Sequence, residues 1–191
     1  MLKLKIAITG SSGMVGEHLV DFFRKEGHRV SRIVRRETSF SVAQGGIQWD
    51  IDREIIEKEN LEGQDVVIHL AGVNIAGQRW SAGYKRLILE SRVKTTEFLC
   101  HTLAQLKHPP RVLLSASAVG YYGNRPATEK IDESSLKGEG FLAEVCAQWE
   151  QAATPAIRSG IRVVHMRFGM ILSRSGGAVA KMLPSFQWGL G

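Results

Sequence analysis

The sequence has little that points to a membrane, a metal or a disulfide framework. None of its apolar runs approaches the roughly 18–20 residues that a membrane-spanning helix needs. Cys100 and Cys146 are the two cysteines among 191 residues. Because both fall in helix-like segments without ligand spacing, we expect reduced structural thiols and no metal site. After Lys3 and Lys5 the chain enters a strand without a secretory apolar region, so we expect a cytoplasmic protein.

Positive charge is in excess, but it is not concentrated. The formal net charge is +6, which invites a nucleic-acid interpretation. Nucleic-acid binding requires clustered basic residues, ideally interleaved with aromatic side chains. Here the basic residues are dispersed, apart from Arg32, Arg35 and Arg36. We therefore expect a small-molecule substrate as partner, and neither a nucleic acid nor a membrane.

Strand and helix signals alternate along the whole chain. Strand-like runs are followed by helical patterns of ten or more residues, which favours a parallel sheet with right-handed crossovers. The predicted fold is α/β: a doubly wound parallel sheet with the Rossmann strand order 3-2-1-4-5-6. A polar helix is expected over Asp52–Glu59, after a short third strand at Gly46–Asp50. Ligands of such a sheet lie at the carboxyl ends of its strands.

A glycine turn follows the first strand. Gly10, Gly13 and Gly16 stand at three-residue spacing between a strand-like run and an amphipathic helix. Backbone without side chains at such a turn lets a pyrophosphate approach the N–H groups of a helix N-terminus. This context predicts a dinucleotide site, whose candidate contacts are Gly10, Ser12, Gly13, Met14, Val15 and Gly16.

The end of the second strand distinguishes between the two nicotinamide cofactors. NAD sites usually have Asp or Glu there, whereas this chain has Val34, Arg35 and Arg36. A guanidinium can bind a 2′-phosphate through charge-assisted hydrogen bonds. We predict NADP, with Arg35 as the main contact and Arg36 or Arg32 in support; the alternative is that these arginines are solvated surface charges.

Further candidates end the third, fourth and fifth strands. Asp50 could reach the adenine amine or cap the helix that follows, and both interpretations stay open. Small residues follow the fourth strand where the cofactor passes close to the backbone: Leu70, Ala71 and Gly72. A core role is favoured over a catalytic one for His69. The fifth strand ends in Ser115 and Ser117, and paired tyrosines follow at Tyr121 and Tyr122.

The glycine turn and the serine–tyrosine segment resemble, in this order, two motifs of the extended short-chain dehydrogenase/reductase superfamily. Other segments are similar to its epimerase-family branch, often labelled sugar-nucleotide epimerase-like: Trp49-Asp50, His69–Ile75, Arg79-Trp80, Ser91-Arg92, Gly120–Gly123 and Trp149-Glu150. The resemblance covers essentially the whole chain. It implies an NADP-binding oxidoreductase or nucleotide-sugar epimerase that acts on a hydroxyl/carbonyl pair.

The resemblance also implies a domain organisation. A Rossmann domain is expected over residues 1–172, and the start of a small substrate-binding region over 173–191. Most of that second region is missing relative to the family, so we expect a C-terminally truncated chain. Leu183, Phe186 and Trp188 would then lack partners, which leaves a homo-oligomer open.

Several site residues are carried over from the resemblance. Ser117 matches the superfamily's catalytic serine, which hydrogen-bonds the reacting hydroxyl or carbonyl. Arg92 lies on the long helix where most extended members have Asn, and it is assigned as a cofactor contact. The remaining assigned cofactor contacts are Ser115, Arg167 and Ile171, the last two from the segment that borders the nicotinamide.

One departure from the superfamily bears on catalysis. Aligning Glu150 with the family's glutamate puts Leu142 and Cys146 where the family has the acid/base pair Tyr-x-x-x-Lys. Tyr121 or Tyr122 remains as a proton donor, with Tyr121 the chosen candidate; packing at the pocket mouth is the alternative. Two functions therefore stay open: an enzyme, or a non-catalytic NADP(H)-binding regulatory or sensor protein.

Overall fold

The structure is a computed structural model that describes residues 2–35, 46–173 and 176–189. Within these ranges, seven strands form one sheet: β1 (Lys5–Thr9), β2 (Arg29–Arg35), β3 (Gly46–Asp50), β4 (Ile55–Ile56), β5 (Val66–His69), β6 (Val112–Ala118) and β7 (Arg162–Phe168). Their order across the sheet is β4-β3-β2-β1-β5-β6-β7. All neighbours pair in parallel except β3 and β4. Leaving out β4, the order is the predicted 3-2-1-4-5-6, so the fold prediction is confirmed.

Helices cover both faces of the sheet. They are α1 (Met14–Lys25), α2 (Lys58–Leu61), α3 (Ala82–Ala104), α4 (Phe141–Gln151), α5 (Thr154–Arg158) and α6 (Gly177–Gln187), and a 3₁₀ turn at Val119–Tyr122 follows β6. The Ser81 hydroxyl caps α3 by accepting a hydrogen bond from the Tyr84 backbone N–H. None of the helices in the described ranges is both long enough and apolar enough to cross a membrane.

The side-chain alternation of the central strands divides the core into two clusters. On the α1 side, Ile6, Ile8 and Ile68 pack with Val20. On the other side, Ala7, Val67 and Leu113 pack with Leu99, Leu103 and Ala156 of α3 and α5. A parallel sheet buried on both faces follows, with its loops at the carboxyl ends free to carry a site.

The segment after β3 differs from the expectation. The helix predicted over Asp52–Glu59 is wrong: a turn leads into β4, which pairs antiparallel with Trp49 and Asp50. The side chain of Ile56 is buried, and Glu57 Oε2 accepts a hydrogen bond from the Gln48 N–H. Burial of one isoleucine and pairing at the sheet edge outweigh the helical preference of the charged residues.

Candidate cofactor and active site

The glycine turn leaves no room for side chains where β1 meets α1. A Cβ on Gly10 would lie 2.7 Å from the Leu70 carbonyl carbon, and one on Gly16 would lie 2.2 Å from the Gly10 oxygen. Gly10 also has a positive φ of 64°, which favours glycine. Gly13 is the N-cap of α1 and contributes no capping side chain. The first N–H groups of α1 are therefore accessible to an anion.

Two serines and a hydrophobic side chain complete this turn. Ser12 and Gly13 are exposed, whereas Ser11 is buried. No partner for the Ser11 hydroxyl occurs in the described ranges. Met14 lies beside the chain that follows β7, since a Cβ on Gly176 would be 3.5 Å from the Met14 Sδ. The exposed residues Ser12 and Gly13 at the N-terminus of α1 fit a phosphate-bearing ligand.

The arginines at the end of β2 occupy different positions. Arg35 is the exposed last residue of the strand. Arg32 instead reaches the glycine turn, where its Nη1 donates to the Ser11 carbonyl at 3.0 Å. Arg36 lies outside the described residues. Asp50, at the end of β3, accepts a hydrogen bond from the Arg53 N–H at 3.1 Å, so it caps a turn in place of the expected helix.

His69 connects the glycine turn to the helices behind it. Its Nδ1 is 2.7 Å from Thr9 Oγ1, and its Nε2 is 2.9 Å from Thr96 Oγ1. The Thr9 hydroxyl oxygen already accepts from two backbone N–H groups, those of Leu70 and Ala71. Thr9 must therefore donate to Nδ1, and Nε2–H donates to Thr96. Burial lowers the pKa of His69 to about 4, which makes it the neutral core histidine that the sequence favoured.

Arg92 lies at the carboxyl end of β5. A Cβ on Gly72 would be 3.4 Å from the Arg92 Cζ. The guanidinium donates to the carbonyl oxygens of Ile88 and Val73, each at 3.0 Å. Its Cζ is 5.1 Å from the centre of the Trp149 ring. These contacts hold the positive charge of Arg92 at the carboxyl edge of the sheet. The resemblance to the superfamily predicts that the cofactor lies at this edge.

Ser117 belongs to a network that joins β6, α4 and β7. Its hydroxyl donates to Glu150 Oε1 at 2.6 Å. Arg167 donates to both oxygens of the same carboxylate, with Nε and Nη2 each at 2.8 Å. Burial alone would raise the pKa of Glu150, but the hydrogen bonds from Arg167 and Ser117 outweigh it and hold that pKa below its usual value. Glu150 is therefore ionised at neutral pH.

Both tyrosines contact the same arginine. Arg167 Nη1 donates to the Tyr122 hydroxyl oxygen at 2.8 Å, and the guanidinium lies over the ring of Tyr121, 3.6 Å from its centre. Tyr122 is buried and Tyr121 is half-buried. The sequence missed this role of Arg167, although parallel pairing of the last two strands would have set it opposite Ser117, as the observed register does.

The comparisons with known proteins agree with this geometry. Residues 6–186 match the sequence model of the NAD dependent epimerase/dehydratase family. The chain belongs to this family. It is 41% identical over 191 residues to an epimerase family protein of Mycobacterium bovis, and it spans 62% of that protein's length.

Two solved structures superimpose on the chain. The nucleoside-diphosphate sugar epimerase of Corynebacterium glutamicum is 38% identical with a TM-score of 0.83, over 97% of this chain and 38% of that one. The human epimerase family protein SDR39U1, isoform 2, was solved with NADPH; it is 30% identical with a TM-score of 0.83, over 97% of this chain and 60% of that one.

Leu142 and Cys146, which stand where the superfamily has its acid/base pair, lie in α4. A Cβ on Gly120 would be 3.4 Å from the Leu142 Cβ and 3.7 Å from the Cys146 Sγ. Both side chains therefore face the turn that follows Ser117. Burial raises the pKa of the Cys146 thiol, and leucine carries no proton to transfer. Cys146 therefore stays a neutral thiol at neutral pH, and neither residue supplies the phenol and ammonium groups of the superfamily's pair.

Ser115 and Ile171, the remaining assigned cofactor contacts, differ in their exposure to solvent. Ser115 is fully buried in β6 and its Oγ has no partner within the described ranges. Ile171 is exposed beyond the end of β7. Their assignment to a cofactor stays a prediction.

A cleft of about 350 Å³ opens beside Leu142. Its walls include Trp80 and Phe141, whose rings meet edge to face with 5.6 Å between their centres. The Trp80 indole N–H donates to the Ile75 carbonyl at 2.7 Å, which fixes the ring. The cleft offers an apolar, aromatic wall next to the serine–tyrosine turn.

Proposed function

We propose that this chain binds NADP(H) and acts as an oxidoreductase or nucleotide-sugar epimerase on a hydroxyl/carbonyl pair. The observation that carries this proposal is the glycine turn at Gly10–Gly16, in which Gly10 packs against the Leu70–Ala71 backbone and which leads into the N-terminus of α1. Arg35 at the adjacent strand end supports the phosphorylated form of the cofactor. The NADPH bound in human SDR39U1 also supports NADP(H) as the cofactor.

The cofactor would lie along the carboxyl ends of the strands. Its pyrophosphate would meet the glycine turn: Gly10, Ser12, Gly13, Met14, Val15 and Gly16. Its 2′-phosphate would meet Arg35 beside Val34, and its adenine would lie near Asp50. Its remaining contacts would be Leu70, Ala71, Gly72, Arg92, Ser115, Arg167 and Ile171. When bound, the cofactor would accept or donate a hydride.

The chain's own residues would orient the reacting group. Ser117 donates its proton to Glu150, so its oxygen keeps lone pairs with which to accept a hydrogen bond from a substrate hydroxyl. Tyr121 would donate or accept the proton at the substrate oxygen. The aromatic cleft beside Leu142 would hold the rest of a small-molecule substrate, for which we propose a nucleotide sugar.

A second candidate is a non-catalytic NADP(H)-binding regulator. Leu142 and Cys146 favour it, because they stand at the two positions where the superfamily has the acid/base pair Tyr-x-x-x-Lys. The intact glycine turn would then serve to sense the cofactor.

A turnover assay separates the two candidates. The protein is loaded with NADPH and offered an aldehyde or a quinone, and absorbance follows the oxidation of the cofactor. In a second arm the protein is loaded with NADP⁺ and offered UDP-glucose, and NMR follows epimerisation. We expect turnover that Ser117→Ala abolishes and that the exposed-loop control Ser134→Ala retains. Tight NADPH binding without turnover of any probe would favour the regulator and contradict the enzyme.

We also propose a domain organisation and a cellular location. Residues 1–172 would form the cofactor domain, and 173–191 would begin a substrate-binding region. The exposed side chains of Phe186 and Trp188 would pack against the rest of that region or against a second copy of the chain. The protein would work in the cytoplasm.

A further inference from the structure

A carboxylate from the far end of α4 reaches the serine of the serine–tyrosine turn. Leu142 and Cys146 supply neither a phenol nor an ammonium group where the superfamily has its acid/base pair. Glu150, near the C-terminal end of α4, accepts a hydrogen bond from the Ser117 hydroxyl at 2.6 Å. This distance is typical of a hydroxyl that donates to an ionised carboxylate. Glu150 is therefore in direct contact with the hydroxyl that the site would present to a substrate.

Arg167 keeps this carboxylate ionised and fixes its orientation. Its Nε and Nη2 donate to the two carboxylate oxygens, each at 2.8 Å. Burial would raise the pKa of Glu150, but these bonds and the one from Ser117 hold it below its ordinary value of 4.5. His165 and Cys146 also interact electrostatically with Glu150; burial lowers the pKa of the histidine and raises that of the thiol, so both are neutral at pH 7. A base that contacts a hydroxyl and is oriented by a third group is the arrangement that activates hydroxyls in enzymes.

The hydrogen of the Ser117 hydroxyl points to Glu150. A hydroxyl has one hydrogen and an ionised carboxylate has none to donate, so the 2.6 Å contact with Glu150 Oε1 uses the hydrogen of Ser117. A substrate hydroxyl that approaches Ser117 must therefore donate its own hydrogen. The two hydrogen bonds then run in one direction, from the substrate oxygen to Ser117 and from Ser117 to Glu150. Protons can move along such a chain while Ser117 stays neutral.

We propose that Ser117 and Glu150 form a proton relay, in which Glu150 is the final acceptor of the proton from the substrate hydroxyl. The relay rests on the proposed function, because it requires the hydride acceptor named there. As the substrate carbon loses its hydride, the hydroxyl proton moves to Ser117 Oγ, the Ser117 proton moves to Glu150 Oε1, and the substrate becomes a carbonyl. Reduction of a carbonyl follows the same path in reverse. Tyr121 remains at the substrate oxygen as a hydrogen-bond donor.

A weak base suffices for this step. The hydroxyl proton becomes strongly acidic as the carbon gives up its hydride, because positive charge develops on the forming carbonyl. A carboxylate of low basicity can then accept the proton. In the reverse direction, protonated Glu150 is a strong acid for the carbonyl that is being reduced. The relay thus gives the site an acid and a base other than the pair that Leu142 and Cys146 replace.

Turnover by variants of Glu150 tests the relay. The NADP⁺-loaded protein is offered UDP-glucose and followed by NMR, and the NADPH-loaded protein is offered benzaldehyde and followed by absorbance. Glu150→Gln keeps the size of the side chain but removes its negative charge, and it should lower kcat by about 100-fold or more. The dissociation constant of NADPH should change by less than about threefold. Glu144→Gln, an exposed change on the same helix, should change neither quantity.

Two further measurements separate proton transfer from a structural role. Formate should restore turnover to Glu150→Ala and chloride should not, because chloride balances the charge of Arg167 but is too weak a base to accept the proton. The second measurement uses the protein without cofactor and follows the carboxyl carbon of Glu150 by NMR, with the signal assigned from Glu150→Gln. Its pKa should lie below 4.5 in the wild type, and Ser117→Ala should raise it, because the hydrogen bond from Ser117 is lost.

Each contrary result has its own meaning. An unchanged kcat in Glu150→Gln, with turnover abolished in Ser117→Ala, would overturn the relay and leave the proposed function intact. Equal rescue of Glu150→Ala by chloride and formate would show that Glu150 only balances Arg167, which contradicts the relay. An unaltered Glu150 titration in Ser117→Ala would overturn the relay even if Glu150→Gln does not fold. A wild type that binds NADPH but turns over neither probe would overturn both the relay and the proposed enzyme.

Discussion

At the scale of single residues, a chain of buried hydrogen bonds lies beneath the glycine turn. Thr9 accepts hydrogen bonds from the backbone of Leu70 and Ala71 and donates to His69. His69 passes the chain of hydrogen bonds on to Thr96, which also accepts from the Trp149 indole. The backbone of Leu70 and Ala71 is thus connected to α3 and α4 through buried side chains.

The buried state of His69 makes stability depend on pH. Its pKa falls from 6.5 to about 4 on folding. Between these two pH values, His69 is mostly protonated in the unfolded chain and mostly neutral in the folded chain. The free energy of unfolding should therefore fall as the pH drops from 6.5 to 4, by up to about 3 kcal/mol. Urea denaturation at pH 7 and pH 4.5 measures this loss. His69→Gln cannot be protonated and should flatten that part of the curve; an unchanged slope in the variant would show that other groups cause it.

Residue types alone could predict some of these positions. The spacing of Gly10, Gly13 and Gly16 predicts the turn because only glycine tolerates such close backbone approach. The pairing of Ser117 with Glu150 could not be predicted in the same way. This pairing depends on the position at which α4 packs against β6, and no local sequence pattern determines that position.

At the scale of elements, one ion pair holds α4 against the last strand. Glu150 of α4 and Arg167 of β7 are mostly buried, with side-chain exposures of 12% and 18%. The same pair orients Ser117 and both tyrosines. Losing either partner would leave a buried charge and free the helix to shift.

Arg167→Met should therefore destabilise the protein strongly. A carboxylate left without its partner in a mostly buried site costs about 3 kcal/mol. Lys94→Met removes an exposed i,i+4 pair with Glu90 and should cost less than about 0.5 kcal/mol. Chemical denaturation of the two variants gives the comparison. Similar small losses in both would mean that the Glu150–Arg167 pair does not anchor α4.

Element prediction succeeded where periodicity was strong and failed where it was short. The apolar face of α1 and the runs of β1 and β5 specify their elements from sequence. The segment after β3 carries mostly charged residues, which suggests a helix. Its two isoleucines instead pair with β3 in the folded chain, because contacts with a distant strand override local preference.

At the scale of the whole molecule, the strand order brings the site together. β1 lies between β2 and β5, so the glycine turn is flanked by Arg35 on one side and by the Leu70–Gly72 backbone on the other. The alternation of strands and helices predicted this order, since right-handed crossovers leave few alternatives. The substrate could not be predicted, because the relatives continue beyond the length that this chain spans.

The preference for NADPH over NADH is the most direct measure of whether Arg35 selects the phosphorylated cofactor. Dissociation constants for both cofactors are measured on the wild type, on Arg35→Glu, and on Arg29→Glu at the opposite end of β2 as the control. We expect wild type and control to favour NADPH by about 100-fold and Arg35→Glu to abolish this preference, because a carboxylate repels the 2′-phosphate. An unchanged NADPH preference in Arg35→Glu would contradict this expectation.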